Sequence, residues 1–500
     1  MLRTSSYTIY VDLPHQGDEM LLVHGYMGNY DRVSNGVATY LRSKETHRPP
    51  KPLYGAWSPE PDLNGEVKKP SDETLRVLKR RGYLTEKTPQ EEEEFFEAVV
   101  EKIHQSNLQR MPRYMFIPTY NCNLRCSYCF QDHMRTDPQM RHLLRTIEPA
   151  VVDRTFKAML EIEDMHGING DGARNRVIGF FGGEPFLEQN RPIVEYIINK
   201  TLEVGKGNFW AVSNATDLHA YEDLLSPDLI SSIQVTLDGP PAEHDKRRIY
   251  ADGSGSFERI ARNMTMALER GVRIHLRINL DRNNLHLLPG LADEVLARGW
   301  DQYPQFRAYA AAIHAQTENV DRKTTFGTWD LNNALLELRE KFPSVAVIRR
   351  PDDGVKSNAH KVFEEPDEMV SSVRESFCTA HTQLYMFDAF ANIYACWEYT
   401  GDPKVRIGRV TEDGSLEMNS QINNLWRGRT VASNPVCRKC RYALHCGGGC
   451  AALALARTGK FHINYCDGFA SRFRASVAEA YQEHTSGVPA PEDVGYNVGY

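Results

Sequence analysis

The sequence predicts an α/β protein built on a parallel sheet, open or curled into part of a barrel, with a small module before it and a cysteine-rich region after it. Three observations predict this. Between residues 109 and about 345, six strand-like runs alternate with amphipathic helical stretches, the pattern of repeated β/α units. Residues 1 to about 108 carry two alternating apolar–polar runs followed by helices. The ten cysteines are unevenly spread: none precedes Cys122, three lie at 122–129, and seven fall between 378 and 466.

Composition narrows the class. A chain of 500 residues should hold about two to four domains. At 41% hydrophobic and 25% charged residues it matches ordinary globular proteins. A net charge of -7 without a basic stripe argues against nucleic acid as a partner. No apolar run is long enough to span a bilayer, and Met1-Leu2-Arg3 leads into no signal-peptide core, so a cytoplasmic protein away from membranes is expected. A disulfide framework does not suit so large a chain without an export signal. Close cysteine pairs suit metal chelation in a reducing compartment.

In the N-terminal module, "SYTIYVDLP" and "MLLVHGY" read as a hairpin and "YDRVSNGVATYLRS" as a helix. The Pro-rich "HRPPKPLYGAWSPEPDLNG" reads as loop, and "SDETLRVLKRRGYLTE" as a helix running into a short strand. "TPQEEEEFFEAVVEKI" begins a helix with Thr88 as N-cap, Pro89 at the first helical position and Glu91 closing a capping box. Phe96, Val99, Val100 and Ile103 recur at helical spacing, and the acidic run reads as a solvated first turn.

The core strands are "RYMFIPTY", "RVIGFFG", "NFWAVSN", "SSIQVTLDG", "RIHLRINL" and "QFRAYAAA". Helices such as "PAVVDRTFKAMLEIEDM", "RPIVEYIINKTLEV" and "SFERIARNMTMALERG" lie between them. In folds of this kind the loops after the strands carry the chemistry. Residues 346 to about 485 show less regular periodicity, and 486–500 read as a loosely held tail.

Directly after the first strand comes "NCNLRCSYCF", with Cys122, Cys126 and Cys129. Three thiolates leave one position open on a four-iron cluster. A zinc knuckle with a remote fourth ligand and a ferredoxin-like relay are the alternatives. The second strand ends in "FFGGEPFLE", where glycines allow close backbone approach and a carboxylate and carbonyls can accept from an ammonium group. "SNA" and "VTLDGPPAEHDKRR" end the third and fourth strands. Taken alone, Lys246, Arg247 and Arg248 read as a solvated basic run, and Asp238-Gly239-Pro240 as a turn.

The spacing Cys122, Cys126, Tyr128, Cys129 resembles the signature of the radical S-adenosylmethionine (SAM) superfamily. That resemblance implies a partial (β/α)6 TIM barrel core at 109–345, with a 4Fe-4S cluster on Cys122, Cys126 and Cys129. SAM would complete the cluster, and one electron would cleave it to methionine and a 5′-deoxyadenosyl radical. The resemblance further implies that Gly182, Gly183, Glu184 and Pro185 bind the methionyl amine. Tyr128 and Ser213 join the SAM-binding set, beside Asn214; Thr236 lies near the ribose and Arg248 near the SAM carboxylate.

The later cysteines are Cys378, Cys396, Cys437, Cys440, Cys446, Cys450 and Cys466. A zinc ribbon is one reading, with His445, His381 or His462 completing it. The run "CRKCRYALHCGGGC" with its flanking cysteines resembles the SPASM domain of peptide-modifying radical SAM enzymes, here at 346–485. That implies two auxiliary 4Fe-4S clusters: Cys437, Cys440, Cys446 and Cys466 on the outer one, and Cys378, Cys396 and Cys450 on the inner one. His381, Asp388, water or substrate would take the inner cluster's fourth position. Three, four and three ligands use all ten cysteines, which leaves none for the hydrogen return of a radical epimerase. Sulfatase maturases resemble this layout but carry an aspartate after the cysteine matching Cys396, where this chain has Trp397 and then Glu398. No catalytic residue is identified; Glu398 and Asp388 are candidate bases.

The module at 1–108 resembles a winged helix of the leader-recognition type. Its expected mode is β-augmentation by a precursor's leader, with a structural cap on the barrel as the alternative. The expectation is therefore a maturase of a ribosomally made peptide that forms an oxidative thioether or carbon–carbon cross-link, fed by a flavodoxin or ferredoxin. The alternatives are dehydrogenation of the sulfatase-maturase type and a non-catalytic iron–sulfur carrier.

Overall fold

The computed structural model describes residues 2–13, 17–46, 66–169, 174–314, 320–364 and 373–488. An eleven-stranded sheet organises the molecule. Its strands in chain order are β1 (Arg113–Phe116), β2 (Arg176–Phe180), β3 (Gly207–Val212), β4 (Ile230–Thr236), β5 (Arg273–Leu280), β6 (Phe306–Ala312), β7 (Ile348–Arg349), β8 (Leu384–Phe387), β9 (Asn392–Tyr394), β10 (Gly408–Val410) and β11 (Leu416–Met418). β1 to β7 lie side by side in chain order, every pair parallel. β8 adds in parallel to the free side of β1, and β9 to β11 continue as an antiparallel meander. The α/β expectation holds, and all six expected core strands are present.

Side-chain alternation gives the sheet two unlike faces. Tyr114, Phe116, Ile178, Phe180, Phe209, Ile233, Leu276 and Ala308 point to one face. There they meet the helices Pro149–Met165, Arg191–Glu203, Phe257–Glu269 and Leu288–Ala297 in the main core. Met115, Ile117, Phe181, Trp210 and Met386 form a second cluster on the other face. Strands covered on both faces read as near-continuous apolar runs, which is why these were legible. β1 stops at Phe116 rather than Tyr120 because Pro118 cannot donate to a ladder. β3 connects to β4 through a 3-10 segment, Leu218–Leu224, instead of a full helix.

The first hundred residues form a three-stranded meander of Thr8–Asp12, Glu19–His24 and Tyr30–Ser34. Helices Asn35–Ser43, Asp72–Arg80 and Pro89–Leu108 follow, and Leu84–Thr85 pairs with Arg3–Thr4. The stretch expected as one helix over 30–43 divides: Tyr30–Ser34 completes the meander, and the Ser34 hydroxyl then caps the helix by accepting from Val37 N–H. The capping box at Thr88 and Glu91 is present with both hydrogen bonds. The acidic first turn is not wholly solvated. Glu92 is buried, accepting from Arg3 Nη2 at 2.7 Å, Ser5 Oγ at 2.5 Å and Ser6 N at 2.9 Å. The chain's N-terminal strand needs an anchor, and this carboxylate supplies it.

Both faces of the meander are covered. Tyr10, Met20 and Leu22 pack on Leu41, Leu78 and Tyr83. Ile9, Val11, Leu21 and Val23 pack on Phe473, Val477 and Tyr481 of the helix Phe469–Thr485. That helix also holds Asp353–Glu364 through Arg350–Glu479 at 2.8 Å, Lys356–Glu483 at 3.0 Å and His360–Glu483 at 2.9 Å. These two helices fall where the sequence suggests weak periodicity, because part of their burial is charged. The expected Pro-rich loop at 47–65, and 489–500 of the expected tail, lie outside the described residues. Among the described residues no helix is long and apolar enough to cross a membrane.

Candidate active site

The three-cysteine loop leaves the C-terminal end of β1 and is strapped in place. Residues Leu124–Cys126 pair antiparallel with Arg248–Tyr250, with Cys126 opposite Arg248. Donors surround the sulfurs. Leu124 N–H points at Cys122 Sγ at 3.4 Å, Asn214 Nδ2 reaches it at 3.7 Å, and Arg135 Nη2 donates to Cys129 Sγ at 3.1 Å. Burial opposes the charge on Arg135, but the fields of Cys129 and Cys122 outweigh it. Burial pushes the Cys122 and Cys126 thiols up to about 12 and about 11. Metal binding there must displace the thiol protons. A soft thiolate set with charge-balancing donors fits an iron–sulfur cluster.

The "GGEP" turn after β2 lies against this loop. Gly183 N–H donates to Thr119 O at 3.1 Å, and Glu184 N–H to Asn121 O at 2.8 Å. A Cβ on Gly183 would stand 2.2 Å from Asn121 O and 2.3 Å from Tyr120 O, so only glycine permits the contact. Gly182 has φ 141° and a Cβ there would meet Thr119 O at 2.4 Å. The Glu184 carboxylate is almost fully buried and turned into the protein. It accepts from Ser213 Oγ at 2.7 Å, Asn214 N at 2.6 Å and Phe186 N at 2.9 Å. Burial pushes its carboxyl up to about 7. Glu184 thereby ties the ends of β2 and β3 together, and Ser213 is spent in the same clamp. Asn190 Nδ2 braces the turn through the carbonyls of Glu184 and Pro185.

Tyr128 is the hub on the opposite side of the loop. Its hydroxyl donates to Asp238 and accepts from Arg248 Nη1 at 2.8 Å and Asn279 Nδ2 at 3.1 Å. Asp238 also accepts from Asn279 N at 3.1 Å, linking the ends of β4 and β5. Arg248 is buried, unlike a solvated basic run, whereas neighbouring Lys246 is exposed. Thr236 is the last residue of β4, buried and opposite Arg277 of β5. A cleft of about 480 Å³ borders the outside of the loop at Asn121, Asn123 and Asp217. Tyr128, Thr236 and Arg248 do not line it.

All ten cysteines are free thiols. The Cys437 thiol is raised first by burial and then by the fields of Cys440, Cys446 and Cys466. The Cys396 thiol is raised by burial, Glu398, Cys450 and Cys378. By these fields Cys437 couples to one group of thiols and Cys396 to another. Among the described residues no three His, Cys, Asp or Glu side chains converge on a single ion. Gly447, Gly448 and Gly449 all take left-handed φ values of 73° to 80°, winding the chain tightly from Cys446 to Cys450 between the groups. Buried Arg429 braces this turn, donating to Gly448 O at 3.3 Å, Ile463 O at 3.0 Å and Phe461 O at 3.1 Å. Asn464 Nδ2 donates to Cys466 Sγ at 3.0 Å.

The three side chains considered for the inner group or as bases differ. Asp388 closes the β8–β9 turn, accepting from Phe390 N, Asn392 N and Tyr120 Oη, so its carboxylate is occupied. His381 is buried, with Nδ1 on Trp426 O at 2.9 Å and Nε2 without a partner. Glu398 is partly exposed, its carboxyl raised by burial against the field of Arg277, and its own field reaches Cys396 and Cys450. Arg135, Asp238, Asn279 and Arg429 are site residues that sequence reasoning missed. No spacing marks them; only folding brings them to the sulfurs or to Tyr128.

Residues 116–294 match the Radical SAM superfamily. The chain is 22% identical over 396 residues to the cysteine-type anaerobic sulfatase-maturating enzyme of Clostridium novyi (strain NT), covering 73% of this chain and 96% of that one. The fold is similar to native anSMEcpe with bound AdoMet, with TM-score 0.54, 16% identity, and coverage of 75% of this chain and 99% of that one. A second structure, native anSMEcpe with bound AdoMet and Cp18Cys peptide, gives TM-score 0.52 at 15% identity, with coverage of 75% and 99%. The chain therefore carries a radical SAM domain, within which the three-cysteine loop, the "GGEP" turn and the Tyr128–Arg248 pair all lie.

Proposed function

We propose that this protein is a peptide-modifying radical SAM enzyme with three 4Fe-4S clusters. One observation carries the reading: ten free thiols, three of them on the loop after β1 inside the stretch that matches the Radical SAM superfamily and seven between 378 and 466. Cys122, Cys126 and Cys129 would hold the SAM-binding cluster. Cys437, Cys440, Cys446 and Cys466 would hold the outer auxiliary cluster, and Cys378, Cys396 and Cys450 the inner one. When bound, cluster and SAM would supply radical chemistry for taking hydrogen from an unactivated C–H bond.

The chain's own residues would orient and enclose. Arg248, pinned by Tyr128, would be the cation that meets the SAM carboxylate. The backbone of Gly182 and Gly183, close against the cysteine loop, offers acceptors for the amine, while the Glu184 side chain holds that backbone still. Pro185 stiffens the turn. Thr236 would face the ribose. The partly exposed strand Tyr30–Ser34 is the edge a precursor's leader would extend, and a flavodoxin or ferredoxin would deliver electrons in the cytoplasm.

The favoured reaction is an oxidative thioether or carbon–carbon cross-link. Dehydrogenation of the sulfatase-maturase type is the second reading, favoured by the likeness to the Clostridium novyi enzyme. Trp397 in place of an acid after Cys396 argues against it. Anaerobic reconstitution should give about twelve irons per chain, three clusters of four. With reductant the protein should release 5′-deoxyadenosine from SAM. Co-expression with candidate precursor peptides should lower their mass by two hydrogens per event, with fragmentation separating cross-links from dehydrogenation. A colourless zinc protein, or clusters without SAM cleavage, overturns the proposal.

A further inference from the structure

The inner face of the sheet is not uniform. Over β1 to β3 and β8 it is apolar: Met115, Ile117, Phe181, Trp210 and Met386. Over β5 to β7 it is basic. Ile274, Leu276, Ile278, Ala308, Ala310 and Ile348 belong to the outer core, so alternation turns Arg273, His275, Arg277, Arg307, Tyr309 and Arg349 to the inner face. The register then sets Thr236, Arg277, Tyr309 and Arg349 side by side at one level across β4, β5, β6 and β7. The outer-face neighbours are almost fully buried, whereas the four arginines all keep partial exposure.

The row is built rather than incidental. Tyr309 Oη donates to Gln234 Oε1 at 2.7 Å, and Arg277 Nε donates to Asn279 Oδ1 at 2.8 Å. The Arg277 guanidinium lies 6.0 Å from the centre of the Tyr309 ring. The row therefore runs from Thr236, at the C-terminal end of β4, across β5 and β6 to β7. Of the four guanidiniums on this face, Arg307 donates to the carbonyls of Pro304 at 2.9 Å and Phe306 at 2.6 Å, and Arg277 and Arg349 stand at the level of Thr236. Arg277, Arg307 and Arg349 also engage other groups of the chain, so a ligand would join or displace those contacts.

We infer that this wall selects an acidic peptide: the segment held for reaction presents carboxylates to Arg277 and Arg349. The inference rests on the proposed peptide substrate and adds its charge. Arginine suits the role because its planar fork meets a carboxylate with two parallel hydrogen bonds. Carboxylate side chains and a terminal carboxylate share this chemistry, and the test separates them.

The test is calorimetric titration of the anaerobically reconstituted protein with three short probes. The first is a capped peptide alternating Gly and Glu; the second replaces Glu by Gln; the third is the Gln peptide with a free C-terminus. The Glu peptide should bind at least about tenfold more tightly than the capped Gln peptide, as charge-assisted pairs imply. If the third probe matches the first, the terminal carboxylate is the group read. Arg277→Gln and Arg349→Gln should each reduce the preference about tenfold. Arg277→Lys keeps the charge but loses the fork, so it should retain only part of the preference, and it serves if a Gln variant fails to fold. Arg409→Gln, at an exposed residue of β10, should change nothing. Equal affinities for all three probes, or a preference untouched in both Gln variants, overturns the inference. SAM cleavage measured without peptide reports separately on the radical reading, so the two can fail independently.

Discussion

Glu184→Gln separates a structural clamp from a ligand-binding carboxylate. In the wild type, two oxygens accept three hydrogen bonds: Phe186 N–H and Ser213 O–H on one, Asn214 N–H on the other. Glutamine offers one oxygen and one NH2 group. Whichever way the amide turns, its NH2 faces a backbone N–H, from Phe186 or from Asn214. The Ser213 hydroxyl can reverse and accept, but a backbone N–H cannot. One buried donor is stranded, at a cost of about 1–3 kcal/mol. With an unfolding entropy of about 2.1 cal/mol/K per residue, a 500-residue chain loses roughly 1 °C per kcal/mol if it unfolds as one unit. The midpoint should therefore drop by about 1–3 °C in calorimetry. Local exchange is the sharper assay. The Asn214 or Phe186 amide should exchange about five- to a hundredfold faster, read by hydrogen–deuterium exchange of peptides covering 184–190 and 211–217. Unchanged exchange at both amides would refute the clamp and return the carboxylate to direct ligand contact.

Three other perturbations follow from particular contacts. Gly183→Ala puts a methyl 2.2 Å from Asn121 O; pushing the cysteine loop back should cost about 1–3 kcal/mol and lower the iron bound on reconstitution, read by iron and protein assay. Glu92→Ala leaves Arg3 buried without its carboxylate, so denaturant unfolding should show a loss of about 3–5 kcal/mol. His24 is buried and held neutral, its pKa lowered to about 4 chiefly by burial. Because the unfolded chain binds that proton first, folding stability should fall as pH drops from about 6.5 towards 4, by roughly 3 kcal/mol in all. His24→Asn should flatten that part of the stability–pH curve, and identical curves would exclude the assignment.

The cysteine spacing, the "GGEP" turn and the alternation of strands with helices are local patterns, written in consecutive residues. From them follow the α/β architecture, the six core strands and the candidate cofactor residues. Helix caps at Thr88 and Ser71 are equally local. Burial by charge is not: Glu92 reads as part of a solvated turn, and the helix Phe469–Thr485 lies in a stretch of weak periodicity, until their partners, Arg3 and the Arg350–Lys356 pair, arrive from elsewhere in the chain. The same holds for Arg135, Asp238, Asn279 and Arg429, which look like ordinary polar residues. The basic wall is the clearest case. Arg277, Arg307 and Arg349 are far apart in sequence, and only parallel register with a two-residue side-chain period sets them on one face. Sequence alone determined the cysteine spacing and the strand pattern, because both are short-range; tertiary structure decided which charges share a face of the sheet, because register and burial are long-range.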